Sequence, residues 1–441
     1  MTTANASSKR RGPSQAKETK EKLVTISTRR IQEQFTRNLL DELARQTSLL
    51  SERGDSEPRL AQELLMDPFR ERATDIHIDP QSGGYRVRLR IDGELYDAAL
   101  LTENQARRLI NQFKTWAELD PGVDFAPTEA RWTFELEDRM VHLRLSGVPC
   151  INGEKISIRV LDPRRVEHRL HDLGMVDSDR KRVEEWLESV KGAFLVAGPT
   201  GSGKTTTLYA LLHELKQRSR SIVTIEDPVE YQIDGICQVQ VDRRHDLTFA
   251  QGLRTILRLD TDFLMLGEIR DAESARAAID ASIGGRVLLS TLHSPDAAGA
   301  VTALRNWGLR NDEIAVNVSV IVAQRLVRVL CPRCKQRRPL PKMHKAWFEA
   351  MGGKAPTHAY QPVGCDDCSG TGYLGRTGVF EVWKLDESDY EMILNGTDER
   401  SLRQHVMGNG HRSLLADVAD KMRQGVTSME EIMRLPWLVL K

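Results

Sequence analysis

The sequence predicts an α/β protein in which a parallel, doubly wound sheet follows a smaller α+β domain. Three observations predict it. Short apolar runs alternate with helical patterns from residue 177 to 291, alternating runs fill residues 85–161, and a glycine-rich loop joins an apolar run to a helical one. Strands that alternate with helices form parallel sheets, because each parallel crossover needs a covering helix. Length agrees: 441 residues exceed the roughly 250–300 that one hydrophobic core serves.

Composition sets the broad class. The chain is 40% hydrophobic, 29% charged and only 5% aromatic, which suits an ordinary globular protein better than an all-β sandwich. No apolar run reaches the roughly 18–20 residues needed to span a bilayer. The polar, basic start carries no apolar signal segment, so no signal peptide is expected. Basic and acidic residues number 63 each, which excludes a uniformly basic nucleic-acid binder. The charges are unevenly placed, however. Gln324–Lys345 holds eight Lys/Arg and no acid, whereas Glu381–Arg400 holds seven acids and two bases. Local basic faces of this kind suit an anionic membrane surface or an acidic partner.

Taken in order, residues 1–58 read as a polar, basic tail followed by an amphipathic helix with Ile31, Phe35, Leu39, Leu43 and Leu50 near a 3.6 period. Residues 59–162 read as the α+β domain. Tyr85–Ile91 alternates strictly, Asp92-Gly93 supplies a hairpin turn, and Met140–Leu145 and Lys155–Leu161 alternate again around Asn152-Gly153. Residues 163–175 form a charged linker. Residues 176–329 are the α/β core, opening with a capped helix from Asp177 that turns Val183, Trp186, Leu187 and Val190 to one side. Buried strands are expected at Ala193–Ala197, Ser221–Ile225, Asp262–Leu266 and Val287–Thr291, with helices over Thr205–Lys216 and Ala272–Ile283. Residues 330–372 carry the cysteine pairs, and residues 373–441 are expected to be a helical subdomain, mostly helical from Glu387.

Gly198-Pro199-Thr200-Gly201-Ser202-Gly203-Lys204-Thr205 fits the phosphate-loop pattern, with Thr206 directly after it. Glycines let backbone N–H groups approach phosphates, the lysine sits beside the β- and γ-phosphates, the threonine offers a hydroxyl to Mg²⁺, and the helix start adds its positive end. ATP and Mg²⁺ are therefore the expected ligands. Acids should then stand at the ends of neighbouring strands. Ser221–Ile225 runs into Glu226, Asp227 and Glu230, and Asp262–Leu266 runs into Gly267, Glu268 and Asp271. Glu226 and Glu268 are the catalytic candidates, and the sequence leaves open which orients water and which handles Mg²⁺. The second segment resembles a Walker B strand with Gly267 in place of its aspartate. Val287–Thr291 leads to His293, placed to sense a γ-phosphate.

Cys331, Cys334, Cys365 and Cys368 form two CxxC pairs, the spacing of a closed tetrahedral Zn²⁺ site with a structural role. Cys150 and Cys237 stand alone and read as small buried hydrophobes.

Together these motifs resemble the secretion ATPases of the type II secretion and type IV pilus assembly families. The resembling segments are Thr74–Pro80, Val87–Gly93, Gly153-Glu154, Ile158-Arg159, the phosphate loop, Thr224–Glu230, Leu257–Asp260, Gly267–Asp271, Ser290–His293, Gln324–Arg328, the cysteine pairs and Gly372–Gly378. The resemblance implies a RecA-like P-loop core behind a PAS-like N-terminal domain, with a Cys₄ zinc-binding insertion. It implies an Mg-dependent ATPase acting as a homo-hexamer, peripheral to the cytoplasmic face of the inner membrane and docked on platform proteins of a secretion or pilus machine. It also implies four arginines at the nucleotide: Arg144 and Arg159 from the N-terminal domain, Arg254 and Arg258 from the core. The tetracysteine segment points to the assembly and export branch. The short region before residue 60 implies that the platform-docking domain of many relatives is absent or reduced to one helix.

Two alternatives stand beside this reading. One is an ATPase for DNA uptake or nucleic-acid translocation, with the zinc lobe on DNA. Gln324–Lys345 lends it charge but lacks interleaved aromatics for base stacking, so nucleic acid is not the expected partner. The other is a nucleotide-bound protein without turnover.

Overall fold

The structure is a computed structural model, and it describes Leu65 and residues 72–136, 139–161, 168–218, 220–350 and 355–435. The amphipathic segment expected before residue 58 lies outside the described residues.

The N-terminal sheet has six antiparallel strands: β1 (Ala73–Gln81), β2 (Gly84–Ile91), β3 (Glu94–Leu101), β4 (Thr128–Leu136), β5 (Arg139–Cys150) and β6 (Gly153–Leu161). Their order is β3-β2-β1-β6-β5-β4. Alternation explains this sheet. Ile76, Ile78, Val87, Leu89, Leu143, Leu145, Ile156 and Ile158 share one buried face with Leu109, Ile110 and Phe113 of the helix Glu103–Trp116. That helix starts on a capping box between Thr102 and Gln105. The intervening residues turn polar and charged side chains to the other face. Buried Lys114 pairs with Glu154 at 2.6 Å, which ties the helix to the sheet.

The second sheet has seven strands: β7 (Ala193–Ala197), β8 (Ile222–Glu226), β9 (Cys237–Gln240), β10 (Phe263–Leu266), β11 (Val287–Leu292), β12 (Val318–Leu330) and β15 (Tyr373–Lys384), in the order β15-β12-β7-β11-β10-β8-β9. All pairings are parallel except β12 with β15. Both faces are covered, so β7 and β10 are apolar at every position. Ala193, Leu195 and Ala197 face one core, with helices such as Ala272–Ile283 and Ala297–Asn306. Phe194 and Val196 face the other, against the helices Asp177–Ser189 and Lys204–Leu215.

Three expectations need correction. Tyr373–Lys384 is not part of a helical subdomain: it pairs with β12 over Val320–Leu330 and closes the core sheet. The cysteine lobe, with the ribbon β13 (Gln336–Pro339) and β14 (His358–Gln361), is thus inserted between two paired strands. The described part of the linker is built into the core, since Leu170, Leu173 and Met175 are buried there. The helix at Asp177 has Val176 at its N-cap, with no side-chain cap.

Candidate functional site

Strand β7 ends in the phosphate loop. Gly201 and Gly203 hold φ near +77° and +87°, which side-chain-bearing residues rarely adopt. At Gly198 an added Cβ would lie 2.5 Å from Ser202 Oγ and 2.6 Å from the Gln324 carbonyl. Lys204 opens the following helix. Its Nζ donates to the carbonyls of Gly198 at 2.8 Å and Pro199 at 3.0 Å. Burial lowers its pKa to about 8, with nearby Glu268 opposing that shift.

Adjacent strand ends bring the acids beside this loop. Buried Glu226 accepts from Thr224 Oγ1 at 2.7 Å and Gln238 Nε2 at 3.1 Å on one oxygen, and from the Tyr209 hydroxyl at 2.5 Å on the other. Burial raises its pKa, and these three donors oppose that rise. Glu268 is more open: it pairs with Arg270 and stands 3.5 Å from His293 Nε2. Asp227 receives Arg243 at 3.1 Å and Arg270 at 3.5 Å. The Walker B departure has a local reason. A Cβ at Gly267 would press on the Ile225 carbonyl at 3.3 Å and on Glu226 Cα at 3.4 Å.

The N-terminal sheet supplies the opposite wall. Thr74, Asp75, Arg90, Gly93 and Arg159 face Lys204, Glu226, Glu268 and His293 across a cleft of about 800 Å³. Arg159 Nε donates to Asp75 Oδ1 at 3.0 Å. Of the four arginines expected at the nucleotide, Arg159 alone lines this cleft within one chain. Arg144 pairs with Glu129 at 3.6 Å, Arg254 pairs with Glu273 at 3.3 Å, and Arg258 is exposed.

Sequence reasoning missed Tyr209, Gln238, Gln324 and Arg90. Gln324 did leave a signal, as a polar residue inside the apolar run of β12. Tyr209 left none, because an aromatic on a buried helix reads as core.

The four paired cysteines converge, with Sγ–Sγ distances of 3.8 Å for Cys331–Cys365, Cys334–Cys368 and Cys365–Cys368. A tetrahedron of thiolates at about 2.3 Å from one ion has edges of about 3.8 Å. Backbone N–H groups of Gly364, Cys365 and Gly372 point at sulfur from 3.2–3.3 Å, as thiolates require. The donor set therefore fits a metal ion. The lone cysteines contradict their expected burial: both are exposed. Cys150 sits at a hairpin tip beside Ile151, and Cys237 lies on edge strand β9.

Comparison with known proteins decides the family. The family model for type II/IV secretion system proteins matches residues 52–434. The chain belongs to the type II/IV secretion system protein family. With its phosphate loop and strand-end acids intact, it is an ATPase of that family. It is 39% identical over 399 residues to the type II secretion system ATPase E of Vibrio cholerae serotype O1, covering 90% of this chain and 79% of that protein. It is 38% identical over 398 residues to the type II secretion system protein HxcR of Pseudomonas aeruginosa, covering 90% and 81%. Among solved structures, the fold is similar to the ATPase DotB of Legionella pneumophila (TM-score 0.64, 20% identity, 86% of this chain and 96% of that one). It is also similar to the pilus retraction motor PilT with bound ADP (TM-score 0.58, 21% identity, 85% and 96%).

Proposed function

We propose that this secretion-family ATPase works as a homo-hexameric motor that drives assembly of a pseudopilus or type IV pilus fibre for protein secretion. It would act at the cytoplasmic face of the inner membrane, on platform proteins of the machine and in contact with anionic lipid. The observation that carries the reading is the cleft itself, where a phosphate loop and strand-end acids face arginines of a second domain. Among the described residues no helix is long and apolar enough to cross a membrane.

The cleft residues divide the work. Lys204 turns from its loop carbonyls to the β- and γ-phosphates, and the loop N–H groups hold the phosphate oxygens. Thr205 would offer its hydroxyl to Mg²⁺, which would supply positive charge beside the phosphates. Glu268 is the water-side carboxylate, because both oxygens of Glu226 are already engaged by protein donors. His293 stands between Glu268 and the phosphate end. Arg159 supplies a guanidinium to the transferring phosphoryl group, and Arg144, Arg254 and Arg258 reach nucleotide only once the ring assembles. The four cysteines would hold a structural Zn²⁺ as thiolates, which would leave no open position for catalysis.

Glu268→Gln tests this reading. Hydrolysis should fall by at least about a hundredfold while ATP binding and ring formation persist. Full turnover in the variant, or a wild-type chain that neither hydrolyses Mg-ATP nor forms rings on anionic lipid, would sink it. The nucleic-acid alternative loses ground, since Arg325 and Arg328 of the basic stretch are buried.

A further inference from the structure

One cross-strand row of the N-terminal sheet is unusual in its charge. The register sets Arg90 of β2 opposite Asp75 of β1, Asp75 opposite Arg159 of β6, Arg159 opposite Arg144 of β5, and Arg144 opposite Arg131 of β4. Directly opposed residues in antiparallel pairs project to the same face. The row therefore lays four guanidinium groups and one carboxylate along the face that meets the ATPase core. Two contacts fix that orientation. Asp75, Arg90 and Arg159 line the cleft with Lys204, and Arg131 Nη1 donates to Gln240 Oε1 on β9 at 3.3 Å.

Like charges directly opposite one another destabilise a sheet. Here three arginines occupy successive opposed positions; Asp75 stands within the row, Glu129 is 3.6 Å from Arg144, and Glu230 acts on Arg159 across the cleft. Asp75 is itself nearly buried, with its side chain 9% exposed. One of its oxygens takes Arg159 Nε at 3.0 Å. The other takes Thr74 Oγ1 at 2.8 Å and lies 3.8 Å from Arg90 Nε. Arg90 reaches past it and donates from Nη1 to the Gly93 carbonyl at 2.8 Å, so its fork is held at the cleft wall.

We propose that Arg90 is a further nucleotide-contacting residue and that Asp75 is the positioning residue that aims Arg90 and Arg159 together at the polyphosphate. The inference rests on the reading of the cleft as the nucleotide site. Asp75 keeps the two guanidinium groups ordered at a fixed spacing, and the nucleotide adds negative charge to a row of four cations and one anion. A planar guanidinium suits this work because it offers donors to a carboxylate and a phosphate at once.

The test uses the full chain with Mg-ATP, reading kcat, KM, binding of a fluorescent ATP analogue and the melting temperature. Arg90→Gln should raise KM about tenfold with little change in melting. Values within about twofold of wild type would overturn the role of Arg90. Should Arg90→Gln fail to fold, Arg90→Lys decides: it keeps the cation but loses the fork, so KM should still rise severalfold, and an unchanged KM overturns the proposal. Asp75→Asn should lower kcat about tenfold and raise KM severalfold at an unchanged melting temperature, because both arginines lose their aim. A rise in KM matched by a lower melting temperature would mark Asp75 as merely structural. Lys204→Ala separates the two layers. Retained nucleotide binding there refutes the cleft reading itself, whereas lost binding there beside a normal Arg90→Gln refutes only the role of Arg90.

Discussion

Gln324 uses both ends of its amide on the phosphate loop. Its Nε2 donates to the Ser202 carbonyl at 2.9 Å, and its Oε1 accepts from Thr207 at 2.7 Å. All of these groups are buried. Gln324→Leu leaves a buried hydroxyl and a buried carbonyl without partners, at about 1–3 kcal/mol each. We expect a lower melting temperature together with a higher KM for ATP, measurable in one preparation. The loss of Thr207's partner at such a distance shows why part of the site was illegible: the two residues lie 117 positions apart. Lys204, Glu268 and the cysteines were legible because their chemistry is written in short spacings. Tyr209 and Gln238 act on Glu226 only through the topology, which pairs β9 with β8 and brings Tyr209 of the phosphate helix to the end of β8.

At the scale of elements, the cysteine lobe is the piece most dependent on its ligands. Its two ends are already tied, since Cys331 N–H donates to the Gly372 carbonyl at 2.9 Å and Leu330 opposes Tyr373. Between them, the described residues of the lobe bury few apolar side chains besides cysteine, namely Leu340, Phe348 and Ala359. Small lobes of this kind draw folding energy from their metal. A strong chelator should release about one Zn²⁺ per chain. Hydrogen exchange should then speed up across residues 331–372 and stay slow in β12 and β15, which belong to the main sheet. Uniform loss of protection would show instead that the metal supports the whole core. The sequence displayed the cysteines plainly but hid β15. Gly375 and Gly378 interrupt the apolar pattern there, and only the partner strand β12 makes an edge strand of it.

At the scale of the molecule, the two domains meet beside the cleft through a small set of charged groups. Arg328 binds Glu431, reaches the Tyr96 hydroxyl at 3.2 Å and lies over the Tyr373 ring at 4.0 Å. Arg434 reaches back to Glu94, and Asp92 accepts from the Gly375 N–H at 3.0 Å. Removing one member of a buried pair costs about 3–5 kcal/mol. Glu431→Ala should therefore cost about that much in denaturant unfolding, and should free the N-terminal sheet to move, seen as faster proteolysis between the domains. An unchanged unfolding midpoint would show the contact to be dispensable. This interface was beyond reach of sequence reading, because it joins residues more than two hundred positions apart. The long strand β12 ties the three scales together. Gln324 and Arg328 follow one another along it and Cys331 comes directly after its end, within about 25 Å of extended backbone, and β15 pairs with it from Val320 to Leu330. Such a braced rod has little slack. A tilt of a few degrees imposed at the nucleotide end would reach the domain contact at Arg328 as a displacement, and the register shift between Arg328 and Leu330 is where the strand would bend before the lobe.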